Sequence, residues 1–254
     1  MRAGGAGGLR SVVPGSPPGR TRPKGLPSRR ETAGTVTRYD AVVFDSDGVL
    51  VEPPTRETQL GAIRSAFREL GVESPPADHV RDLSHDVRPD RLDAIADHHG
   101  LDAATLWTAR ERCDEQSQFE AFRAGSRQRY DDVTAIADLP PNRGVVSNNH
   151  HSTVAFKLDF FELEPLFDTF YGREMTVESL TLKKPNTHYL DRAIADLNAE
   201  NPLYVGDSES DVVAAHRAGA DSAFVRRDHT RDAALSVTPT YEVDTLADLP
   251  DIVV

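Results

Sequence analysis

The sequence contains one cysteine, few lysines and no long apolar run. Cys113 has no second cysteine to pair with, so neither an internal disulfide nor a cysteine-based zinc site can form. No stretch reaches the ~20 apolar residues that a membrane helix needs, which excludes a spanning protein and predicts no membrane partner. The net charge of −12 over 254 residues disfavours nucleic acid as a partner, because phosphate backbones repel an acidic surface.

Charge is unevenly divided along the chain. Residues 1–38 hold eight basic residues and one acidic residue, together with eight glycines and five prolines. Residues 39–254 carry 40 acidic and 21 basic residues, a net charge of −19. A basic segment rich in glycine and proline buries too little apolar surface to offset chain entropy, so we predict that residues 1–38 form a disordered basic tail.

Three interpretations of this tail remain open. It is a transit peptide, since it is arginine-rich and poor in acidic residues, or a basic arm that contacts nucleic acid, or a segment outside the native protein. We favour the third, because Val36 stands just before Tyr39, where the folded part is predicted to begin, and a valine there is consistent with an alternative start codon. The intact mass of the native protein tests this interpretation.

Lysine is scarce outside the tail. Residues 39–254 contain three lysines and 18 arginines, and aspartate greatly outnumbers glutamate. This composition resembles that of proteins from extreme halophiles, whose dense carboxylates are screened at molar salt, where the Debye length is ~3 Å. The alternative is an ordinary acidic protein encoded by a GC-rich genome.

Short apolar runs alternate with helix-like segments from residue 39 onwards. The run at 40–44 is rich in β-branched residues and stops abruptly at polar residues, as a buried strand does. Further runs lie at 144–146, 203–205 and 223–225, with a weaker one at 169–171. The alternation predicts an α/β fold, namely a Rossmann-like parallel sheet with helices on both faces.

A long segment without clear strands follows the first predicted strand. Apolar spacing predicts helices over 55–71, 90–99 and about 102–124, with Gly71 and Gly100 ending the first two. So much helical sequence is too long for a loop. We therefore predict a separate helical module over 53–130, with the core made of 39–52 and 131–254.

Four polar motifs stand at or near the ends of predicted strands: Asp45-Ser46-Asp47-Gly48, Ser147-Asn148-Asn149, Lys183-Lys184-Pro185-Asn186 and Asp207-Ser208-Glu209-Ser210-Asp211. Each alone has an ordinary explanation: an Asp-Gly turn, a strand-end cap, an exposed lysine pair or a helix N-cap. The lysine pair is predicted to open a helix, where cations are disfavoured and a bound anion would offset the cost.

Taken together, the motifs predict a metal and phosphate site at one sheet edge. Asp45, Asp47, Asp207 and Asp211 supply the oxygen ligands that Mg²⁺ prefers. The Ser147 hydroxyl, the Asn148 amide and the Lys184 ammonium supply donors for phosphate oxygens. Two histidine pairs, His98-His99 and His150-His151, are expected to be solvated or capping, because adjacent helical residues point about 100° apart and rarely chelate one ion.

In this order the four motifs resemble those of the haloacid dehalogenase superfamily of aspartate-nucleophile hydrolases, over essentially residues 39–254. The helical segment after the first motif resembles the C1-type cap of phosphoglycolate phosphatase-like and β-phosphoglucomutase-like members. The resemblance implies that Asp45 attacks phosphorus and that Asp47 protonates the leaving oxygen and later deprotonates water. It also implies that Asp45, the Asp47 carbonyl and Asp207 hold Mg²⁺.

The resemblance further implies that Asp211 anchors either the metal's water shell or Lys184, and that Ser147 and Lys184 hold the phosphoryl oxygens. Asp47 favours phosphoryl transfer over dehalogenation, because a halide leaving group needs no acid. The expected activity is Mg²⁺-dependent hydrolysis of a small soluble phosphomonoester, of phosphoglycolate or sugar phosphate type, by a cytoplasmic enzyme. The alternatives are a phosphosugar mutase, for which Arg81, His85 and Arg88 are candidate residues in the helical module, and a non-catalytic binding protein.

Overall fold

The structure, a computed structural model, describes residues 38–85 and 87–253 of the chain. The predicted basic tail and the alternative start at Val36 lie outside the described residues, apart from Arg38. The backbone N–H of Arg38 donates a hydrogen bond to the Val253 carbonyl, 2.8 Å away. The described chain thus begins in contact with its own C-terminal helix.

Six parallel strands form one sheet, in the spatial order β3-β2-β1-β4-β5-β6. The strands are β1 (Ala41–Phe44), β2 (Arg143–His150), β3 (Thr169–Arg173), β4 (Pro202–Gly206), β5 (Asp221–Val225) and β6 (Tyr241–Val243). Helices lie between the strands, so the predicted Rossmann-like α/β fold is confirmed. The five predicted runs are β1 to β5, whereas the short β6 was not predicted.

The first strand lies at the centre of the sheet. All four residues of β1 are buried, and Val43 pairs with Gly144 of β2 on one side and Tyr204 of β4 on the other. The chain winds from β1 to β3 in one direction and from β4 to β6 in the other. The carboxyl ends of β1 and β4 therefore flank the point where the strand order reverses, which is where sheets of this kind bind ligands.

Eight α-helices are present in the described residues. Four lie between β1 and β2: α1 (Arg56–Glu69), α2 (Ala77–Asp82), α3 (Pro89–His98) and α4 (Ala103–Arg123). Four follow β2, β3, β4 and β6, respectively: α5 (His151–Phe160), α6 (His188–Asp196), α7 (Glu209–Arg217) and α8 (Pro250–Val253). The predicted helices over 55–71, 90–99 and 102–124 correspond to α1, α3 and α4, and α2 was not predicted. We call α1 to α4 and their connections the helical insert.

Apolar side chains of β1 alternate between the two faces of the sheet. Val42 and Phe44 belong to one buried cluster, and Ala41 and Val43 belong to another on the opposite face. A third cluster, which includes Trp107, fills the space between the helices of the insert. Because strand side chains point alternately up and down, a strand that is apolar throughout needs cover on both faces.

The lysine motif does not open a helix, which corrects the prediction. Helix α6 begins at His188, four residues after Lys184. The proline that follows Lys184 disfavours helical backbone at the lysine itself, so the helix starts further along the chain. The predicted unfavourable interaction between the lysine pair and the N-terminus of a helix therefore does not occur at α6. Among the described residues, no helix combines the length and apolarity required to cross a membrane.

Candidate active site

Three strand ends bring the predicted site residues together. Asp45 follows β1, Ser147 lies in β2 just beyond the part that pairs with β1, and Asp207 follows β4. These three strands are neighbours and run parallel, so their carboxyl ends meet at one edge of the sheet. Asp45 is 8% exposed and Ser147 is 2% exposed, so both side chains face the interior of this edge.

Lys184 reaches this edge from the loop after β3. Its Nζ lies 3.0 Å from Asp45 Oδ1 and 2.6 Å from Asp211 Oδ1. The ammonium also donates to the Tyr204 hydroxyl at 2.6 Å, and that hydroxyl donates to the Val146 carbonyl. The lysine is buried, and these contacts fix its ammonium group beside the Asp45 carboxylate.

Asn148 fixes the backbone of this lysine. Its Oδ1 accepts a hydrogen bond from the Lys184 N–H at 2.7 Å, and its Nδ2 donates to the Lys184 carbonyl at 3.3 Å. Ser147 Oγ accepts a hydrogen bond from the Asn149 N–H at 3.2 Å. The structure therefore assigns Asn148 a positioning contact, and its predicted contact with phosphate stays a prediction.

Asp211 combines helix capping with ion pairing. Its Oδ2 accepts hydrogen bonds from the backbone N–H groups of Asp207 and Ser208, and Ser208 in turn caps helix α7. Its other oxygen pairs with Lys184. The two explanations considered for this motif are thus compatible, because each uses a different carboxylate oxygen.

Three carboxylates crowd together behind the lysine. One oxygen each from Asp45, Asp207 and Asp211 can be chosen so that all three lie within 4.8 Å of one another. Burial and the neighbouring carboxylates raise the pKa of Asp45 to about 7, with Lys184 acting in the opposite sense. Burial, aided by Asp211, also raises the pKa of Asp207 although His229 opposes it. Carboxylates that repel one another in this way fit a hard divalent cation bound by oxygen.

Two glycines make room for these carboxylates. A Cβ placed on Gly48 would lie 1.8 Å from Asp207 Oδ2, and one placed on Gly206 would lie 2.3 Å from the Cβ of Asp211. Gly48 also has a φ of +79°, which favours glycine on its own account. Any larger residue at either position would push the carboxylates apart, so the cradle depends on both glycines.

The side chain of Asp47 turns away from this group. Its Oδ1 pairs with Lys157 Nζ at 2.6 Å and with the Arg127 guanidinium, and its Oδ2 accepts from Asn149 Nδ2 at 2.8 Å. Burial acts to raise the pKa of Asp47, but Lys157 and Arg127 outweigh it and hold that pKa far below the ordinary value. In this arrangement Asp47 is an ionised carboxylate.

Sequence reasoning did not assign the residues that hold Asp47. Lys157 lies on α5 and is 1% exposed, and Arg127 follows α4 and is 3% exposed. One signal was available, because Lys157 is one of the three lysines in residues 39–254. Arg127 stands in no recognisable motif, and its position depends on how the insert packs on the core.

His229 is a third residue that the sequence did not reveal. Its Nε2 lies 2.7 Å from Asp207 Oδ2. It comes from the loop after β5, the strand next to β4. The site therefore draws on five neighbouring strands, β1 to β5, and the four motifs lie in or after the first four of them.

A buried ionic cluster joins the insert to the core, and we call it the junction cluster. Glu111 of α4 is fully buried and lies within ion-pair distance of Arg110, His150 and Arg173. Arg110 also lies 3.6 Å from Asp114. Burial acts to raise the pKa of Glu111, but these partners outweigh it and lower that pKa. His150 is buried in this cluster, so the expectation of a solvated side chain is wrong; the residue stands at the N-cap position of α5, but its side chain forms no cap hydrogen bond.

A cavity of about 260 Å³ lies between the insert and the strand edge. The core contributes polar side chains to its lining, including Asp47, Asn149 and Arg173. The insert contributes residues from three segments, including His85, Trp107, Arg110 and Gln118. Of the three mutase candidates, only His85 lines this cavity. Arg81 and Arg88 pair instead with Asp82 and Asp90.

Comparisons with known proteins agree with this geometry. Residues 181–249 match a family model described as HAD-hydrolase-like, and this range contains the last two of the four motifs. A 5′-nucleotidase of Pseudomonas aeruginosa is 27% identical over 186 residues, 72% of this chain and 80% of that protein. The pyrophosphatase PpaX of Anoxybacillus flavithermus is 24% identical over 225 residues, 84% of this chain and 96% of that protein.

A solved structure agrees in fold. The HAD-hydrolase YfnB of Bacillus subtilis, bound to magnesium, superposes with a TM-score of 0.56 at 21% identity, covering 85% of this chain and 98% of that one. The parallel sheet, with carboxylates and a lysine gathered at its carboxyl edge, has a Rossmann-like α/β fold. This fold is similar to that of the HAD-hydrolase YfnB, and the family match is confined to residues 181–249.

Proposed function

We propose that this hydrolase cleaves a small phosphomonoester through an aspartyl-phosphate formed on Asp45. The observation that carries the proposal is the placement of Lys184 Nζ, 3.0 Å from the buried Asp45 carboxylate at the end of the central strand. A cation fixed at this point lets a dianionic phosphate approach a carboxylate that would otherwise repel it. Both relatives described above are named for the hydrolysis of phosphorylated compounds, which supports the same reaction class.

In the first step, an Asp45 oxygen forms a bond to phosphorus while the bond from phosphorus to the leaving oxygen breaks. Lys184 and the Ser147 hydroxyl donate to the transferring phosphoryl oxygens. Asp47 gives a proton to the leaving oxygen. A bound phosphate adds negative charge beside Asp47 and competes for Lys157, and both changes raise the pKa of Asp47 towards protonation.

In the second step, water attacks the phosphorus of the aspartyl-phosphate and frees Asp45 with release of inorganic phosphate. Asp47, now ionised, takes a proton from that water. The ion pairs with Lys157 and Arg127 suit this half of the reaction, because they keep Asp47 ionised and fix its direction. Asp47 thus serves as acid and base in turn.

The strand-edge carboxylates supply the ligands for Mg²⁺. Asp45, Asp207 and the backbone carbonyl of Asp47 would hold the ion, and Asp211 would stand behind them with Lys184. When bound, the ion supplies positive charge that stabilises the phosphoryl oxygens and offsets repulsion among the carboxylates. Crowded oxygen donors and a glycine cradle support this assignment.

The helical insert serves as a cap over the site. Its residues line one side of the cavity, and the core lines the other, so a small substrate would be enclosed on entering. Enclosure excludes bulk water during the first step, when water would compete with Asp45 for the phosphorus. The substrate is a small metabolite of phosphoglycolate or sugar phosphate type, which the cavity volume of about 260 Å³ accommodates.

The test is phosphate release from a panel of phosphomonoesters, with p-nitrophenyl phosphate as a general substrate, at saturating Mg²⁺ and in both dilute and molar KCl. Asp45→Asn is expected to lower kcat by at least about 10³-fold, because the variant keeps the shape of the side chain and loses the nucleophile. Asp138→Asn, an exposed carboxylate outside the four motifs, is the matched control and should retain activity. Undiminished turnover in Asp45→Asn would contradict the proposal.

A further inference from the structure

Three histidines meet within the helical insert, outside the residues that line the cavity. His79 lies on α2, His98 is the last residue of α3, and His99 follows it. The centroids of the three imidazole rings are 4.8–5.1 Å apart, and each pair of rings is close to perpendicular. Two helices thus bring three potential metal ligands to one point.

The spacing of their nitrogens matches a metal site. One ligand nitrogen from each ring can be chosen so that all three lie within 4.8 Å of one another. His79 Nδ1 and His99 Nε2 are 3.0 Å apart. With Zn–N bonds of about 2.0–2.1 Å, two ligands of a tetrahedral zinc ion are about 3.3 Å apart. Small rotations of the imidazoles would bring all three nitrogens to that spacing.

The end of helix α3 explains how two adjacent histidines can share one point. His99 is the C-cap residue, with φ of −95° and ψ of 0°, so the chain leaves the helix there. The expectation from 100° spacing considered the pair alone. The third histidine, His79, comes from α2, and its ring contacts the rings of both His98 and His99. The three rings therefore surround a common centre.

The three histidines differ in exposure, so the site is covered on one side and open to solvent on the other. His79 is 8% exposed, His99 is half-buried against the Phe67 ring, and His98 is exposed. The apolar core of the insert covers one side, and His98 leaves the other open to solvent. Three imidazole ligands with an open fourth position are typical of zinc, which takes water or another ligand there.

We propose that His79, His98 and His99 bind one divalent transition-metal ion of the zinc type. The ion would tie α2 to the end of α3. The chain continues from α2 to Ser84 and His85, which line the cavity, and the Leu83 carbonyl accepts a hydrogen bond from Arg110. Metal binding therefore steadies one wall of the cavity, independently of the chemistry at Asp45.

The test is zinc binding to the full-length protein after removal of metals with a chelator. Saturating Mg²⁺ is kept present, so that the strand-edge carboxylates are occupied while Zn²⁺ is titrated. The wild type is expected to retain one equivalent of zinc per chain after desalting. At a zinc concentration about 100-fold above its Kd, the Tm should rise by about 5–10 °C.

Two variants of the histidine cluster and two controls separate the possible results. His98→Asn, at an exposed position that the fold tolerates, and His79→Asn should each lose the equivalent of zinc and the rise in Tm. His188→Asn, which alters a histidine outside the cluster, should keep both. Asp45→Asn should also keep both, which distinguishes this site from the catalytic one. Co²⁺ in place of zinc should give a visible absorption band in the wild type that His98→Asn lacks.

Three results would overturn the proposal. One is equal zinc retention by the wild type and His98→Asn, since the histidines would then not be the ligands. Another is loss of zinc in Asp45→Asn but not in His98→Asn, which would locate the zinc at the strand edge. Absence of zinc retention by the wild type would also reject the site.

Discussion

Two buried ionic clusters in this protein are built on different principles. The strand-edge cluster consists of Asp45, Asp207, Asp211 and Lys184, so three carboxylates surround one ammonium. In the junction cluster, the carboxylates of Glu111 and Asp114 face two guanidinium groups, with His150 beside them. The first cluster has an excess of negative charge, and the second is close to balanced.

The direction of the pKa shifts shows what this difference means. At the strand edge, burial and mutual repulsion raise the pKa of Asp45 to about 7. In the junction cluster, the cations outweigh burial and lower the pKa of Glu111. An unbalanced cluster is one that a bound cation would stabilise, which supports the proposed Mg²⁺ site. The balanced cluster pairs its own charges and joins the insert to the core, while Arg110 and Arg173 also line the cavity.

Glu111→Gln is expected to give the largest effect on stability. The substitution leaves the buried guanidinium groups of Arg110 and Arg173 without their shared partner, which typically costs about 3–5 kcal/mol. For a chain of this size the Tm should fall by about 6–20 °C. Thermal unfolding followed by circular dichroism measures the change.

The control for this prediction is Glu120→Gln on the same helix. Glu120 is exposed and contacts Gln116 one turn away, so its substitution should change the free energy of unfolding by less than about 0.5 kcal/mol. If Glu111→Gln were no more destabilising than Glu120→Gln, the junction cluster would not be the tie between insert and core.

A smaller effect is expected from Mg²⁺, and it should depend on pH. Asp45 has a pKa of about 7 in the folded chain, above its ordinary value of 3.8. An acid with a raised pKa in the folded state lowers stability as pH rises from the ordinary value to the raised one. Mg²⁺ relieves this loss, so its stabilising effect should be a few degrees larger at about pH 8 than at about pH 5.

Differential scanning fluorimetry with and without Mg²⁺ measures this effect. Asp45→Asn lacks the titrating carboxylate and should flatten the pH dependence, whereas Asp138→Asn should keep it. A stabilisation by Mg²⁺ that is the same at both pH values in the wild type would mean that Asp45 does not bear the unfavourable charge.

The smallest expected effect concerns salt. Residues 39–254 carry a net charge of −19, and molar KCl should stabilise the protein by screening repulsion between exposed carboxylates. Buried pairs are screened much less, so the difference in Tm between wild type and Glu111→Gln should stay within about 2 °C from dilute to molar KCl. If that difference halves in molar salt, the junction cluster is open to solvent ions.

Much of the core could be predicted from the sequence, because each buried strand is a short apolar run and polar residues mark where it ends. An apolar run that stops at Asp45, and another that stops at Asp207, predict two carboxylates at one sheet edge once the strands are taken as parallel. The helices of the insert followed from apolar periodicity, with ends near the predicted ones. The short β6 and α2 gave too few periodic residues to be recognised.

The partners of Asp47 could not be predicted in the same way. Lys157 lies 110 residues from Asp47 in the sequence and Arg127 lies 80 residues away. Neither belongs to a local motif, and their contacts depend on how α4 and α5 pack beside the sheet. The same holds for Glu111, whose partners come from α4, β2 and β3.

The sequence by itself determined the parallel sheet, the order of its motifs and the carboxylates at its edge, since strand length and polar stops are local properties. Tertiary structure decided which charges are balanced. It buried Lys157 and Arg127 against Asp47, placed His229 on Asp207, closed the junction cluster around Glu111 and brought three histidines together. Electrostatic energy depends on distances through space, and those are set only when the helices pack.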